Sequence, residues 1–377
     1  MPVPLGVLDL VPVSSGGTAA QALTNSRDLV RRAEAAGYHR YWFAEHHLNP
    51  GVVGSSPALT IALTAGDTTR IRLGSGAVLA GHRTALSIAE EFALLAAAFP
   101  GRIDLGLGRS GLRRAPGADK PTGLPPRPAA QEYTTPEGLL VPAPVALGPL
   151  LSGPRFRASQ SLLYLKGAQP EGYAEIVTTI QDILGGTLEV GELSLDRAAA
   201  DTPSDPELWI LGSSKGESAA LAGQRALPFG ANYHVAPSGV IDAVGHYRDS
   251  FVPGDRLTAP HVTVSADVVV APTDDEAEYL AAGYGQWVAS IRTGRGAIPY
   301  PTPEEAAADP LPPEEEALVD DRLRTRFVGS PERVADQLGV LQAATGADEL
   351  LITTITHDHE ARARSHELLA AAWFARP

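Results

Sequence analysis

Acidic and imidazole side chains follow two of the short apolar segments of the chain. Glu45, His46 and His47 come directly after one segment, and His82 comes after the next. A carboxylate beside two imidazoles can bind a metal, transfer protons or only line a polar pocket. A metal would need further ligands on neighbouring strands, and no acidic cluster accompanies His82. We therefore predict no metal, and acid–base chemistry and a polar pocket stay open.

A second group of residues suits an anion. Arg109 stands within the sequence GLGRSG of residues 106–111. We reject a dinucleotide fingerprint, because a proline-rich stretch follows instead of the required helix. Ser213 and Ser214 precede a predicted helix, whose first N–H groups and positive end favour a phosphate. The alternative is that Ser214 and Glu217 cap that helix for each other.

Glycines and a further histidine mark other strand ends. Gly74 and Gly76 interrupt an apolar segment, which indicates either a bulge beside a flat ligand or a tight contact between helix and strand. Tyr233 and His234 end a later apolar segment, and we expect His234 to point toward the same polar region. The sequence His357-Asp358-His359 is expected to cap the last helix.

The elements that position these residues are strands that alternate with helices. Eight apolar segments are predicted as strands, at residues 5–10, 40–44, 71–79, 103–107, 208–211, 229–233, 261–270 and 349–355. This alternation predicts a (β/α)8 barrel, a single domain over residues 1–377, with the site at the carboxyl ends of the strands. Two proline-rich stretches interrupt the pattern, and we predict an insertion at 116–154 and a lid or insertion loop at 299–325.

Composition excludes several classes of function. The chain has no cysteine, which excludes disulfides, thiol nucleophiles and iron–sulfur clusters. A net charge of −14 argues against nucleic acid as a partner. No apolar run is long enough to span a bilayer and the first residues lack a basic region, so we expect a cytoplasmic protein without membrane contact.

Five dispersed motifs resemble those of the bacterial luciferase-like flavin monooxygenases. The stretches are RYWFAEHH at 40–47, GSGAVL at 74–79 with His82, PGRIDLGLGR at 100–109, LWILGSS at 208–214 and FVGSPERV at 327–334. Within that family, the motifs of this chain resemble those of the enzymes of aromatic polyketide antibiotic pathways.

The resemblance implies a barrel that binds reduced FMN, which a separate flavin reductase supplies. By position, His46 matches the catalytic histidine, with Glu45 orienting it and its neighbour. Gly76 and Ala77 match a strand bulge, often a non-prolyl cis peptide, that supports the flavin ring. The resemblance also implies five further cofactor-binding residues, which are Gly108, Arg109, Gly212, Ser213 and Ser214.

The function implied is the use of O2, through a flavin C4a-hydroperoxide, to hydroxylate or epoxidise a bulky aromatic substrate in a protein that forms a homodimer. We predict a substrate pocket at His47, His82, Tyr233 and His234. Two alternatives stay open: an oxidoreductase that uses the deazaflavin F420, and a relative that binds flavin or product without turnover.

Overall fold

A closed ring of eight parallel strands forms the centre of the protein in the computed structural model. The structure describes residues 2–109, 131–145, 153–164, 171–195 and 205–376. The barrel strands are β1 Leu5–Asp9, β2 Arg40–Phe43, β3 Arg72–Ser75, β4 Ile103–Gly108, β5 Glu207–Gly212, β6 Phe229–Asn232, β7 Val262–Val270 and β8 Glu349–Thr353. All eight predicted strands are therefore confirmed.

The strands pair in chain order, and β8 pairs with β1 to complete the ring. After β3 the chain forms a two-residue strand, Val78–Leu79, which also pairs with β4. A short strand, Phe327–Gly329, pairs in parallel with the last residues of β7. The predicted (β/α)8 barrel is confirmed, and parallel strands bring all their carboxyl ends to one face, which we call the mouth.

Helices surround the ring. Their bounds are α1 Ala19–Ala36, α2 Pro57–Thr64, α3 Ala85–Ala98, α4 Pro154–Leu163, α5 Tyr173–Gly185, α6 Glu217–Gln224, α7 Val240–Asp249, α8 Asp274–Leu280, α9 Tyr284–Arg292, α10 Pro303–Ala308, α11 Pro313–Thr325, α12 Pro331–Thr345 and α13 His359–Phe374. Their boundaries follow local rules. The Thr18 side chain accepts a hydrogen bond at the start of α1, and Gly37 ends that helix with a φ of 90°, which glycine adopts without steric cost. Asp358 caps α13, as predicted.

Residues 299–325 differ from the prediction of a loop. They contain α10 and α11, and the first of these has a capping box between Thr302 and Glu305. Proline at the first helical position followed by acidic residues starts α11 at Pro313. The high proline content therefore marked two helix starts in this segment.

Much of the predicted insertion at 116–154 lies outside the described residues. Within 131–145 the chain forms an antiparallel hairpin of Tyr133–Thr134 and Leu140–Val141. A second two-stranded hairpin, Glu189–Val190 with Leu193–Ser194, follows α5.

Candidate active site

A cavity of about 890 Å³ opens at the mouth of the barrel. Its volume is near the upper end of the range of about 300–1,000 Å³ for ligand pockets. Ten of the residues predicted for the site line it: Glu45, His46, Gly76, Ala77, Gly108, Arg109, Gly212, Ser213, Ser214 and His234. Residues separated by nearly 190 positions in the chain therefore share one cavity because strand ends converge there.

Three predicted pocket residues do not line this cavity. The His47 and His82 rings contact each other with centroids 5.8 Å apart, and the His82 ring also contacts Tyr164. Tyr233 is buried, and its hydroxyl donates a hydrogen bond to the Leu140 carbonyl at 2.7 Å. A substrate role for these three residues stays a prediction.

Glu45 connects the end of β2 to the chain after β3. One carboxylate oxygen lies 2.8 Å from His47 Nε2, and the other accepts a hydrogen bond from the Leu79 N–H at 2.9 Å. The carboxylate thus contacts His47 directly, and the orientation of His46 by Glu45 stays a prediction. Glu45 therefore positions the segment that follows Gly76 and Ala77.

Two histidines on the cavity wall are uncharged at neutral pH. Burial lowers the pKa of His46 to about 4 and that of His234 to about 4. His234 Nδ1 lies 2.6 Å from the Ser265 hydroxyl, whereas His46 Nδ1 is buried without a hydrogen-bond partner. His46 is thus a neutral imidazole with one ring nitrogen available to a ligand.

The end of the cavity near β4 and β5 has the donors that an anion needs. Arg109, Ser213 and Ser214 line this part, which also includes the start of α6. The N-cap of α6 is Gly216, and no side chain caps the helix. Its first N–H groups are therefore open to a ligand anion.

The alternative in which Ser214 and Glu217 cap α6 for each other is not observed. Glu217 instead accepts a hydrogen bond from Arg109 Nη1 at 2.9 Å. Both side chains of this ion pair are 46% exposed, so it is weak and can open to admit a stronger anion. The Ser214 hydroxyl is left for the cavity.

Two closely packed glycines, Gly76 and Gly108, form part of the cavity wall. The peptide bond between Gly76 and Ala77 is cis, as the resemblance implied. A Cβ at Gly108 would lie 3.1 Å from the Cβ of Ala77, and a Cβ at Gly76 would lie 2.9 Å from a Leu8 methyl group. A larger residue at 108 would press on the Gly76–Ala77 segment, so the close packing of the wall favours glycine at both positions.

The structure adds functional candidates that the sequence analysis missed. Asp267, Trp287 and Arg322 all line the cavity. Asp267 lies in the middle of β7, and Trp287 and Arg322 belong to helices that follow it. The proline and acidic residues at the start of α11 could have revealed the helix that carries Arg322. The contact between Arg322 and Asp267 could not be read from the sequence, because only the folded chain brings the two residues together.

The residues that the structure describes contain neither a metal-ligand cluster nor a membrane-spanning helix. Among the residues that the structure describes, no group of three or more histidine and acidic side chains is arranged to hold a metal ion. Over the same ranges, no helix combines the length and the apolar character that crossing a bilayer requires.

The fold and the cavity are those of a (β/α)8 barrel whose polar side chains gather at the carboxyl ends of the strands. The family model for luciferase-like monooxygenases matches residues 3–119 and 167–349. The chain therefore belongs to the luciferase-like monooxygenase family, and it is a flavin-dependent monooxygenase.

Relatives of full length support this assignment. The chain is 36% identical to the uncharacterized protein YvbT of Bacillus subtilis over 98% of this chain and 96% of that protein. It is 31% identical to a luciferase-like monooxygenase of Escherichia coli K12 over 97% of this chain and 96% of that protein. The solved structure of apo-MsnO8 is 29% identical, with a TM-score of 0.77 over 100% of this chain and 99% of that chain.

More distant structures share the fold alone. The oxygenating constituent of 3,6-diketocamphane monooxygenase from Pseudomonas putida, in complex with FMN, has a TM-score of 0.65 at 19% identity, over 98% of this chain and 97% of that chain. An F420-dependent secondary alcohol dehydrogenase with an F420–acetone adduct has a TM-score of 0.62 at 13% identity, over 99% of each chain. This barrel therefore holds flavins in some proteins and deazaflavins in others.

Proposed function

We propose that the protein is the oxygenase of a two-component system that uses reduced FMN and O2 to hydroxylate or epoxidise a bulky aromatic, polyketide-like intermediate of secondary metabolism. The observation that carries the proposal is one cavity with phosphate donors at one end, His46 on its wall and apolar side chains beyond. A separate flavin reductase, a transient partner, would supply the reduced FMN in the cytoplasm.

The donors at the β4–β5 end fit the phosphate of FMN. Arg109 offers a charged guanidinium, Ser213 and Ser214 offer hydroxyls, and α6 offers uncapped N–H groups. The wall at Gly76, Ala77 and Gly108 fits a planar ring that approaches the backbone.

F420 is the alternative cofactor, and the charges of the cavity argue against it. Its longer acidic tail needs more cations than a single phosphate does. Among the described residues that line the cavity, the arginines are Arg109 and Arg322, and each is already paired with a carboxylate. FMN needs one strong cation at its phosphate, which Arg109 provides.

When bound, reduced FMN supplies two electrons, so that one oxygen atom of O2 enters the substrate and the other leaves as water. His46 is neutral at pH 7 because burial lowers its pKa to about 4, and its ring can donate or accept a hydrogen bond without bringing a charge into the cavity. Leu10, Val52 and Ile355 line the cavity and exclude water around an aromatic substrate. The residues thus hold both reactants in a dry space and control one proton.

The cofactor assignment is tested by comparing FMN with riboflavin, which lacks the phosphate. We expect Arg109→Met to weaken FMN binding, measured by quenching of flavin fluorescence, by roughly 10-fold or more because a charge-assisted hydrogen bond is lost. Riboflavin binding should not change. Arg27→Met is the matched control, because Arg27 is also an exposed arginine in a pair with one carboxylate, Asp67, and does not line the cavity.

Turnover tests the rest of the proposal. The protein, a flavin reductase, FMN and NADH should convert aromatic polyketide intermediates to products that mass spectrometry shows to contain one added oxygen atom from labelled O2. If FMN and riboflavin bind equally well, the phosphate site is wrong. If FMN binds but no intermediate gains oxygen, the protein is a flavin binder without this activity.

We also propose that two copies associate through α2 and α3. Leu59 and Leu63 on α2 and Leu86 and Leu94 on α3 are all at least half exposed, and the repeats of four and eight residues put each pair on one helix face. Sedimentation velocity should give the mass of a dimer, and Leu94→Glu should shift it toward the monomer. A wild-type monomer at micromolar concentration would contradict this.

A further inference from the structure

A polar cluster lies across the mouth from the phosphate donors. Arg109 follows β4 and Thr353 ends β8, four strands away in an eight-stranded ring, and therefore on the opposite side. Thr353 is the register partner of Asp267 on β7. Asp267 accepts hydrogen bonds from the Tyr284 hydroxyl and from Arg322 Nη2, the second at 3.0 Å.

Helix α9 adds an aromatic side chain to the cluster. Tyr284 and Trp287 are three residues apart on α9, with ring centroids at 6.3 Å. The Arg322 guanidinium carbon lies 5.7 Å from the Tyr284 ring centroid. Thr353, Asp267, Arg322, Tyr284 and Trp287 thus form a continuous chain of neighbours, which we call the far cluster.

The far cluster has hydrogen-bond donors without partners. Trp287 Nε1 and Thr353 Oγ1 are buried, and neither has a hydrogen-bond partner. Trp287 is 4% exposed and Thr353 is 2% exposed, and both line the cavity. Arg322 uses Nε and Nη2, and its Nη1 makes no hydrogen bond to the residues that the structure describes. Buried donors of this kind are costly unless a ligand satisfies them.

The charge of the cluster selects among possible acceptors. Asp267 already balances the charge of Arg322 in a pair whose side chains are about one-tenth exposed. An anionic ligand would add a second negative charge in a site of low dielectric, which disfavours binding. A neutral carbonyl or quinone oxygen accepts hydrogen bonds from the free N–H and O–H groups and adds no negative charge to the site.

We propose that the far cluster binds a neutral carbonyl oxygen of the substrate through Trp287 Nε1, Thr353 Oγ1 and Arg322 Nη1, so that the preferred substrates are aromatic ketones or quinones. This inference rests on the proposed function, whose substrate class it narrows. The cluster orients the substrate from one side of the cavity, and the cofactor donors lie on the other side.

The test compares 2-acetylnaphthalene with 2-ethylnaphthalene, which has nearly the same shape and no oxygen. Binding is measured by calorimetry with oxidised FMN present, so that no turnover occurs. The wild-type protein should bind the ketone more tightly. Trp287→Phe keeps an aromatic ring and removes the N–H, and we expect it to weaken ketone binding roughly three- to tenfold without changing the hydrocarbon.

Trp209→Phe is the matched control. Trp209 Nε1 is also buried without a partner, but Trp209 does not line the cavity. This variant should bind both probes like the wild type. Thr353→Val is a second variant, and it should also weaken the ketone selectively. Neither Trp287→Phe nor Thr353→Val removes a hydrogen bond from the free protein, so both should fold, which thermal unfolding checks.

Several results would overturn the inference. They are equal binding or no binding of the two probes by the wild type, an equal loss for both probes in Trp287→Phe, or the same loss in Trp209→Phe. Tighter binding of 2-naphthoate than of the ketone would also overturn it, because the acceptor would then be an anion. Loss of FMN binding with the ketone preference intact would remove the proposed function alone, and FMN binding without a ketone preference would remove this inference alone.

Discussion

The two ends of the barrel contain buried polar groups in opposite conditions. At the amino-terminal ends of the strands, which we call the floor, the buried side chains of Arg40, Asp104 and Glu349 are joined in ion pairs. Arg40 donates to Glu349 at 2.6 and 2.9 Å and to Asp104 at 2.6 Å, and Arg72 also pairs with Asp104. At the mouth, His46 Nδ1, Trp287 Nε1 and Thr353 Oγ1 have no partner.

The difference separates stability from function. A buried ion pair that loses one member leaves an uncompensated charge, so the floor tolerates little change. The unpartnered groups of the mouth weaken the free protein and become useful only when a ligand is present. Buried charges are paired at the mouth too, as in Asp267 with Arg322, and two uncharged floor atoms, Trp209 Nε1 and Thr263 Oγ1, are unpartnered. The contrast is therefore that the unpartnered atoms of the mouth belong to residues that line a cavity.

The largest expected effect is at the floor. Arg40→Met leaves the buried Glu349 with the His261 ring alone and Asp104 with Arg72 as its remaining cation, and we expect the free energy of unfolding to fall by about 3–5 kcal/mol. Urea denaturation measures it. Arg109→Met, at an exposed pair of the mouth, should change the same quantity by less than about 0.5 kcal/mol. Equal losses in the two variants would end the distinction between floor and mouth.

The next effect is at the mouth and concerns rate. His46→Ala removes the neutral imidazole, and we expect turnover to fall roughly 100-fold or more while FMN binding is retained. Stopped-flow kinetics and flavin fluorescence measure the two quantities. His246→Ala, on α7 and away from the cavity, is the control. An unchanged turnover rate in His46→Ala would contradict a catalytic role for His46.

The smallest expected effect concerns how the stability of the fold falls at acid pH with and without His46. Burial lowers the pKa of His46 to about 4, so the unfolded chain, with an ordinary histidine pKa of about 6.5, binds the proton first. The contribution of His46 to stability is therefore complete above pH 6.5 and is lost as the pH falls through about 4. His46→Gln should reduce the decline of the urea midpoint over this range.

The floor should respond at lower pH. Burial alone would raise the pKa of Glu349, but hydrogen bonding to His261 and the charge of Arg40 lower it to about 2. This carboxylate stabilises the fold above the ordinary glutamate pKa of about 4.3, and the effect is lost as the pH falls through about 2. NMR titration of the His46 ring and of the Glu349 carboxyl group would check both ranges, and a His46 pKa near 6.5 would contradict the burial argument.

The local sequence determined the eight strands, most of the surrounding helices and the convergence of His46, Gly76, Arg109 and Ser213 at one mouth. Hydrophobic periodicity and the positions of glycine and proline predict strands and helices over a few residues at a time. Because parallel strands of a barrel place all their carboxyl ends on one face, the residues that follow the strands must then meet there. The tertiary structure alone decided which carboxylate each arginine and histidine meets. Glu45 bonds to His47 and Leu79 instead of His46, Glu217 bonds to Arg109 instead of Ser214, and Asp267 meets Arg322 from a helix 55 residues later. Such pairs depend on angstrom-scale distances between distant segments, and no local pattern in the chain encodes them.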